Sequence, residues 1–274
     1  MDGPPMRGID AAIHIWRARS PAERSWTDDD LIGDLDAALI HGAVCIHSRR
    51  DAGFDHSYLT GALKRHPDRL AGVCVVDPAN PDAPTELRRL VEEDGYSGLR
   101  LLPYDGRDEA WLAGREGDEI WEEAARLNIP VDVLALARQL PALRERAATL
   151  PQTTIVIDHL ALVGADAAPA DAAELLRCAE LPNVVVKMSA LAHLSREPWP
   201  YVDVHPLMRD VLHAYGPERV VFGSDWPNLL ASGPYENTVS AMDEALQLGA
   251  DDRAAVFGGN AARIWSMPVS GDGA

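Results

Sequence analysis

The chain alternates between two patterns of apolar residues. Short runs rich in Val and Ile are typical of buried strands, and the segments between them place apolar residues at helical spacing. The predicted strands cover 9–16, 42–47, 70–76, 98–102, 130–135, 153–158, 183–188 and 219–224. The predicted helices cover 27–38, 55–65, 84–93, 119–127, 139–150, 171–180, a segment ending near 215, 235–248 and 251–265.

Eight strand and helix units in this order, without an internal linker, predict one α/β domain over 1–274, a (β/α)8 TIM barrel. Residues 1–8 and 267–274 are expected to be flexible tails. The competing architecture is a doubly wound open sheet, which usually carries a glycine-rich phosphate loop after its first strand. Arg17-Ala18-Arg19-Ser20-Pro21 stands there instead. In a barrel, the chemistry belongs at the C-terminal ends of the strands.

Composition narrows the classes of partner. Acidic residues outnumber basic ones by 43 to 25, and the net charge of -18 disfavours non-specific binding to nucleic acid or to an anionic membrane. The chain has no apolar run of roughly 18 residues and no signal-peptide layout at its start, so a cytoplasmic location is expected. The 3 scattered cysteines predict no disulfide framework. We expect a small-molecule substrate, with an anionic one left open, and a monomer or homodimer.

Three predicted strands end on residues that can move protons or bind metal: His14, His159 and Asp225. Side chains two apart in a strand share a face, so Asp10, Ala12 and His14 point one way and His14 faces the upper interior of the barrel. A lone histidine there is more often a core residue bonded to a backbone carbonyl. Two further candidates at equivalent strand ends favour a shared site.

Asp225 is the candidate of the last strand. It shares a strand face with Gly223, which has no side chain, so space for a ligand is expected next to the carboxylate. An aspartate after a strand is more often a helix cap or a turn residue. Pro227 argues against a simple cap, because it removes one of the amides that the cap would bind.

Other strand ends supply candidates for substrate binding. Arg100 has a planar fork that suits a substrate carboxylate, or it pairs with a structural acid such as Asp77. His47 faces the mouth by its position at the end of the second strand. The remaining histidines fall in predicted helices or loops and are interpreted as surface or packing residues: His41, His56, His66, His193, His205 and His213.

Lys187 and Ser189 share a face of the seventh strand. A lysine inside a barrel must be paired, so Lys187 is expected to be held by Asp10 or another acid. Trp226 lies in the loop after the eighth strand, where an aromatic ring lines a pocket or covers the core.

Six motifs span nearly the whole chain, from about Ile9 to Trp265. They are Ile9-Asp10-x-x-x-His14-x-Trp16, Gly98-Leu99-Arg100-Leu101, Val156-Ile157-Asp158-His159, Val186-Lys187-Met188-Ser189, Phe222-Gly223-Ser224-Asp225-Trp226-Pro227 and Gly259-Asn260-Ala261-Ala262-Arg263. In this order and spacing they resemble the amidohydrolase superfamily, most closely the branch of 2-pyrone-4,6-dicarboxylate lactonase and the sugar-lactone hydrolases. The resemblance implies a distorted (β/α)8 barrel that hydrolyses a C–O or C–N bond with a water activated at its mouth.

One position departs from the family pattern. The first strand of the family carries His-x-His, and here it reads Ala12-Ile13-His14. Ala12 marks either a natural divergence or an inactivating substitution introduced by engineering. We favour the second, because Ala12 beside Ala11 is expected to leave unfilled volume between Asp10 and His14.

The resemblance also bears on cofactors and mechanism. It implies a metal-free lactonase in which Asp225 acts as base and His14 and His159 polarise the carbonyl, so no cofactor is expected. Zinc is the alternative, with His14, His159 and Asp225 as its ligands. The predicted function is opening of a lactone, or of a related cyclic ester or amide. The alternatives are a zinc-dependent decarboxylase of an unsaturated or aromatic acid and a catalytically dead binding protein.

Overall fold

The computed structural model describes residues 8–18, 23–77, 80–103, 111–112, 114 and 117–268. Eight strands form one sheet in the order of the chain, and each neighbouring pair is parallel. The strands are β1 (Gly8–Ile13), β2 (Ile40–Ile46), β3 (Leu70–Cys74), β4 (Gly98–Leu101), β5 (Val131–Val133), β6 (Ile155–Ile157), β7 (Val184–Met188) and β8 (Val220–Phe222). This order confirms the (β/α)8 barrel and excludes the doubly wound sheet, whose strand order reverses at a switch point.

The barrel closes where β1 meets the segment after β8. Ile13 forms a parallel bridge with Trp226, and the Asp225 amide donates to the Ala12 carbonyl at 2.9 Å. Asp10 reinforces this contact. Its Oδ1 accepts from the Ser224 amide at 2.9 Å, and its Oδ2 accepts from the Tyr235 hydroxyl at 2.5 Å.

Helices fill the connections between the strands. They are α1 (Asp28–Ala37), α2 (Arg49–Ala52), α3 (Ser57–Arg65), α4 (Ala83–Glu92), α5 (Asp118–Arg126), α6 (Leu140–Thr149), α7 (Pro169–Arg177), α8 (Leu191–Leu194), α9 (His205–Tyr215), α10 (Glu236–Leu246), α11 (Ala250–Ala254) and α12 (Asn260–Ile264). The single helix expected over 251–265 is two helices separated by a π turn, Ala255–Gly259. The four-residue helices α2 and α8 were not predicted, because one turn is too short to show a helical period.

Apolar side chains fill both faces of the sheet. Ile155, Ile157 and Val186 belong to the large core shared with the outer helices, whereas Ile9, Val156 and Val221 pack inside the barrel with Trp265 and Met267. Two residues that were expected to belong to flexible tails are ordered: Gly8 is part of β1, and Met267 is buried. Apart from Pro268, the rest of the expected tails lies outside the described residues. Among the described helices, none is both long and apolar enough to span a bilayer.

Candidate active site

A cavity of about 510 Å³ lies at the C-terminal ends of the strands. Four of the predicted site residues line it: His14 after β1, Arg100 on β4, His159 after β6 and Asp225 after β8. Arg49 and Arg50 of α2 and Asn228 lie on the same wall. Strand ends that are distant in the sequence therefore converge on one small space, as the barrel geometry requires.

Both of the roles considered for His14 occur together. Its Nδ1 lies 2.8 Å from the Ile46 carbonyl, which can only accept, so Nδ1 carries a hydrogen. Its Nε2 lies 3.5 Å from Asp225 Oδ1. The backbone carbonyl thus fixes the ring, and the other nitrogen is directed at the carboxylate.

Asp225 occupies an unusual backbone conformation, with φ of 66°. Left-handed φ is costly for residues other than glycine, and it persists at functional sites where the surroundings enforce it. The Asn228 amide donates to both carboxylate oxygens at 3.3 Å. Burial opposes ionisation, but the neighbouring imidazoles of His14 and His159 outweigh it, so the pKa of Asp225 lies below its ordinary value. The group is a carboxylate at neutral pH and can accept a proton.

His159 begins a left-handed turn. Its φ is 50°, and Leu160, Ala161 and Leu162 follow at 53°, 54° and 56°. Each such residue costs roughly 1–2 kcal/mol, so the turn is sustained by its packing rather than by local preference. The turn places His159 Nδ1 2.7 Å from the Ser189 hydroxyl and Nε2 3.5 Å from Arg100 Nη2. Burial lowers the pKa of His159 to about 4, against the opposing effect of Asp225 and Asp158.

A buried chain of four charged side chains lies beneath the cavity. Arg100 Nε donates to Asp158 Oδ2 at 2.8 Å, and Lys187 Nζ lies 2.8 Å from both Asp158 Oδ1 and Asp132 Oδ2. Burial raises the pKa of Asp132 to about 6. For Asp158, Lys187 and Arg100 outweigh burial and lower the pKa. We call these four residues, Arg100, Asp132, Asp158 and Lys187, the interior network.

The interior network confirms that both cations are paired with buried acids and identifies the acids. Arg100 pairs with Asp158, where Asp77 was the example expected, and Lys187 is held by Asp132 and Asp158, the other acids that were allowed beside Asp10. Lys187 is fully buried, so it supports the site from below instead of contacting a ligand.

Two further residues expected to bind substrate do not line the cavity. Ser189 is fully buried and its hydroxyl is bonded to His159. Trp226 is also fully buried, because its ring packs edge-on against Trp26 and its indole nitrogen donates to Asp34 at 2.8 Å. In this structure Ser189 contacts His159 and Trp226 covers the core, and binding of substrate by either residue stays a prediction.

His47 faces a different space. It lines a neighbouring cavity of about 890 Å³, its Nε2 lies 2.9 Å from the Gly53 carbonyl, and its ring stacks on His56 at 4.1 Å. Burial lowers the pKa of His47 to about 3, so the ring is neutral. His47 therefore lines a different cavity from His14, His159 and Asp225, and a contact between His47 and substrate stays a prediction.

His193 was interpreted from the sequence as a surface or packing residue. It lies on α8, and its Nε2 is 3.7 Å from Asp225 Oδ2. Two imidazoles therefore flank the Asp225 carboxylate, His14 at one oxygen and His193 at the other. The signal available in the sequence was weak: a histidine four residues after Ser189, in a loop that follows a barrel strand.

Comparison with known proteins identifies the family. A family model described as Amidohydrolase matches residues 9–267. The chain belongs to the amidohydrolase family. The resemblance carried by the six motifs is confirmed, and so is the prediction of an amidohydrolase-family enzyme.

Similar proteins cover most of the chain. An L-fucono-1,5-lactonase from Burkholderia ambifaria is 31% identical over 96% of this amidohydrolase and 97% of the relative. A 4-sulfomuconolactone hydrolase from Hydrogenophaga intermedia is 28% identical over 69% of this chain and 61% of the relative. A solved amidohydrolase from Burkholderia multivorans with bound zinc has 27% identity and a TM-score of 0.81, with 95% of this chain and 99% of that chain covered.

The zinc in that structure raises the question of whether this amidohydrolase can hold one. A catalytic zinc needs about three ligands that converge on an open position. Of the described His, Cys, Asp and Glu residues, only Asp28, Asp29 and His66 bring ligand atoms within 4.8 Å of one another, and this group is already paired with Arg65. His159 Nε2 faces the Arg100 guanidinium at 3.5 Å, which opposes a second cation. The arrangement of His14, His159 and Asp225 does not fit a zinc site.

Ala12 fits its surroundings closely. It is fully buried, and a Cβ placed on Gly223 would lie 2.6 Å from the Ala12 methyl. The backbone of Gly223 therefore occupies the space beside Ala12 that the sequence analysis expected to be unfilled. Whether residue 12 was once a histidine stays a prediction, and the Ala12→His form tests it.

Proposed function

We propose that this amidohydrolase is a lactonase that opens its substrate with a water activated by Asp225. One observation carries the proposal: a carboxylate, two imidazoles and a guanidinium from four different strand ends line one cavity of about 510 Å³. The names of two relatives, L-fucono-1,5-lactonase and 4-sulfomuconolactone hydrolase, support a lactone as the substrate class.

Asp225 is the base in this proposal. It takes one proton from a water as the water oxygen attacks the lactone carbonyl, which is general base catalysis. When both ring nitrogens of His14 carry hydrogen, Nε2, 3.5 Å from Oδ1, donates to the carboxylate and orients it. The Asn228 amide donates to both carboxylate oxygens and also fixes the orientation of the carboxylate. The C–O bond of the ring then breaks, and the ring oxygen takes up a proton to become a hydroxyl group.

His159 and Arg100 form the electrophilic side of the proposed site. The nitrogens His159 Nε2 and Arg100 Nη2 are 3.5 Å apart, so a carbonyl oxygen between them would be close to both. The guanidinium is charged at every working pH and stabilises the oxyanion that develops in the transition state. In the structure Arg100 Nη2 donates to His159 Nε2. In the tautomer with hydrogen on Nε2, whose Nδ1 accepts from the Ser189 hydroxyl, neutral His159 donates to the carbonyl oxygen as well.

Three arginines on the cavity wall favour a substrate with an anionic substituent. Arg49 and Arg50 of α2 line the same cavity as Arg100, and these three cations outnumber the two acids of the lining, Asp51 and Asp225, in a protein whose net charge is -18. A local excess of positive charge of this kind attracts anions despite the overall charge. A sulfonated or carboxylated lactone is therefore expected to have a lower KM than a neutral sugar lactone.

A lactone panel with a pH indicator tests the proposal, because opening a lactone at neutral pH releases a proton. The panel contains L-fucono-1,5-lactone as the neutral substrate and 4-sulfomuconolactone as the anionic one, each with and without added zinc. We expect Asp225→Asn to lower kcat by about 10³-fold or more with the fold unchanged. The matched control is Asp210→Asn, since Asp210 is exposed on α9 away from the cavity.

Retention of most activity by Asp225→Asn would remove the proposed base. Turnover that appears only with zinc would show that the residues accept a metal after all. Release of CO₂ from an aromatic or unsaturated acid, without lactone opening, would favour the decarboxylase alternative instead.

A further inference from the structure

We propose that His193 is the acid that protonates the ring oxygen when the lactone C–O bond breaks. The inference rests on the proposed lactonase function and adds a catalytic residue to it. Asp225 can return its own proton only if it reaches both the attacking water and the leaving oxygen. A second proton carrier beside Asp225 removes that requirement.

The contacts of the two imidazoles at Asp225 differ. His14 is buried, and its Nδ1 hydrogen is committed to the Ile46 carbonyl. The His193 side chain is 60% exposed, and its Nε2 approaches the carboxylate oxygen that His14 does not face. A buried ring with a fixed partner orients its neighbour, whereas a ring that touches both the carboxylate and solvent can exchange protons with each.

The backbone holds His193, which lines a second cavity of about 610 Å³, with its ring next to Asp225 of the active-site cavity. Ala190, directly after Ser189, has φ of 56°, and this left-handed residue turns the chain into α8. The far end of α8 is fixed by the loop after β6, where the Ala165 amide donates to the Leu194 carbonyl at 2.9 Å. Gly164 makes that approach possible, because a Cβ there would lie 2.4 Å from the same oxygen. His193 is thus held between the loops that follow β6 and β8.

The charged groups around His193 belong to two walls. Asp225 faces it from the active-site cavity, and a second cavity of about 610 Å³ places Arg138, Asp166, Asp171 and Arg196 on the side towards solvent. Arg196 is paired with Asp166. Asp225 is thus the charged group in contact with the ring, with its Oδ2 3.7 Å from Nε2.

The protons balance over one cycle. Protonated His193 gives its proton to the leaving oxygen as the ring C–O bond breaks, and the product is a hydroxy acid. Asp225 then carries the proton that it took from the water. Transfer of that proton from Asp225 to His193, across the 3.7 Å that separates them, restores the starting state of both groups. The new carboxylic acid loses its proton to solvent, so one lactone and one water give a hydroxycarboxylate and one proton.

The test compares His193→Gln, which keeps a polar side chain but cannot titrate, with His213→Gln, an exposed histidine on α9. With the lactone that wild type opens fastest, we expect kcat of His193→Gln to fall by about 100-fold while KM changes less than about threefold. A fall in kcat with rising pH is the signature of an imidazole acid, and this fall should disappear in the variant. His213→Gln should match wild type.

Chemical rescue separates an acid from a residue that only binds substrate. Because the side chain is exposed, added imidazole should reach the space left in His193→Ala. It should raise the kcat of this variant by at least about tenfold. Wild-type kcat in His193→Gln, with Asp225→Asn inactive, would overturn the inference and leave the proposed function intact. So would a raised KM in His193→Ala that imidazole does not correct. If wild type opens no lactone of the panel, the proposed function fails and this inference fails with it.

Discussion

Two groups of ionised side chains, one inside the barrel and one on its surface, show what burial does to the same chemistry. The interior network has side-chain exposures of 5% for Arg100 and 0% for Asp132, Asp158 and Lys187. At the surface, the Glu123 carboxylate of α5, whose side chain is 8% exposed, binds Arg88 of α4 and Arg126, whose side chains are 46% and 50% exposed. We call these three residues the surface network.

The two networks differ in their exposure to solvent, and this difference changes how much their ion pairs stabilise the fold. Exposed pairs gain little, because water screens them and their side chains lose freedom. Buried charges lose several kcal/mol of hydration each, and their attraction repays that loss only in good geometry. The presence of the interior network therefore does not show that these charges stabilise the folded state. The interior network instead determines where the Arg100 guanidinium lies, because it holds this group beside His159 at the cavity.

The largest expected effect comes from Lys187→Met. Removal of the ammonium leaves Asp132 and Asp158 buried without their shared cation, so the free energy of unfolding should fall by about 3–5 kcal/mol. Denaturant unfolding measures the change. Lys64→Met is the matched control, since the Lys64 side chain is 63% exposed beside Asp94 and its loss should cost less than about 1 kcal/mol. Equal losses in the two variants would erase the distinction between the networks.

The second effect is a pH dependence of stability. Burial lowers the pKa of His47 to about 3 and of His159 to about 4, from 6.5 in the unfolded chain. Between pH 6.5 and about 4, His47 and His159 are protonated in the unfolded chain but stay neutral in the folded protein. The two rings should therefore lower the free energy of unfolding as the pH falls, by up to about 1.4 kcal/mol per pH unit for each ring. Asp132, whose pKa burial raises to about 6 from 3.8, opposes this below pH 6 and offsets the contribution of one ring.

The surface network should respond in a more acidic range. Hydrogen bonds from Arg126 and Arg88 lower the pKa of Glu123 to about 2, from 4.5, so its contribution is lost only as the pH falls through that interval. Unfolding curves at pH 7, 5.5, 4.5 and 3 separate the two ranges, and His47→Gln should flatten the upper one. A stability that is constant from pH 7 to 5 would contradict the assignment.

The third prediction applies one substitution to both networks. Arg100→Lys replaces the fork that binds Asp158 and faces His159 with a single ammonium, and kcat/KM for the best lactone should fall by about 10- to 100-fold. Arg88→Lys keeps a charge beside Glu123 on the surface and should leave kcat/KM unchanged. Equal kinetics in the two variants would mean that the placement of the Arg100 guanidinium is unimportant.

The smallest effect is expected from Glu123→Gln. It neutralises the centre of the surface network, and the expected loss is about 0.5–1 kcal/mol at low salt. At about 1 M salt the loss should shrink, because the Debye length is then about 3 Å. A loss as large as that of Lys187→Met would show that the surface network acts as a buried one.

The sequence predicted the barrel because its evidence is repeated eight times. Each strand combines β-branched residues with a following helix, and an error of two residues at one boundary does not change the order. The convergence of His14, Arg100, His159 and Asp225 followed from the same geometry, since all four stand at strand ends.

What the sequence could not supply depends on loops and on long-range partners. No local pattern predicts that Leu160, Ala161 and Leu162 adopt left-handed φ, because these residue types avoid it. The four residues of α8 show no period, so nothing indicated that His193 folds back over Asp225. The choice of Asp132 and Asp158 over Asp10 as partners of Lys187 depends on the register of three strands.

Asp10 binds groups that are 214 and 225 residues further along the chain, the Ser224 amide and the Tyr235 hydroxyl. A ribosome releases these partners long after it has released β1. Until then one edge of β1 has open hydrogen-bonding groups, and nascent chains with such edges are prone to wrong pairing. Completion of the barrel is thus a late event in synthesis, governed by the arrival of β8 rather than by the formation of the early strands.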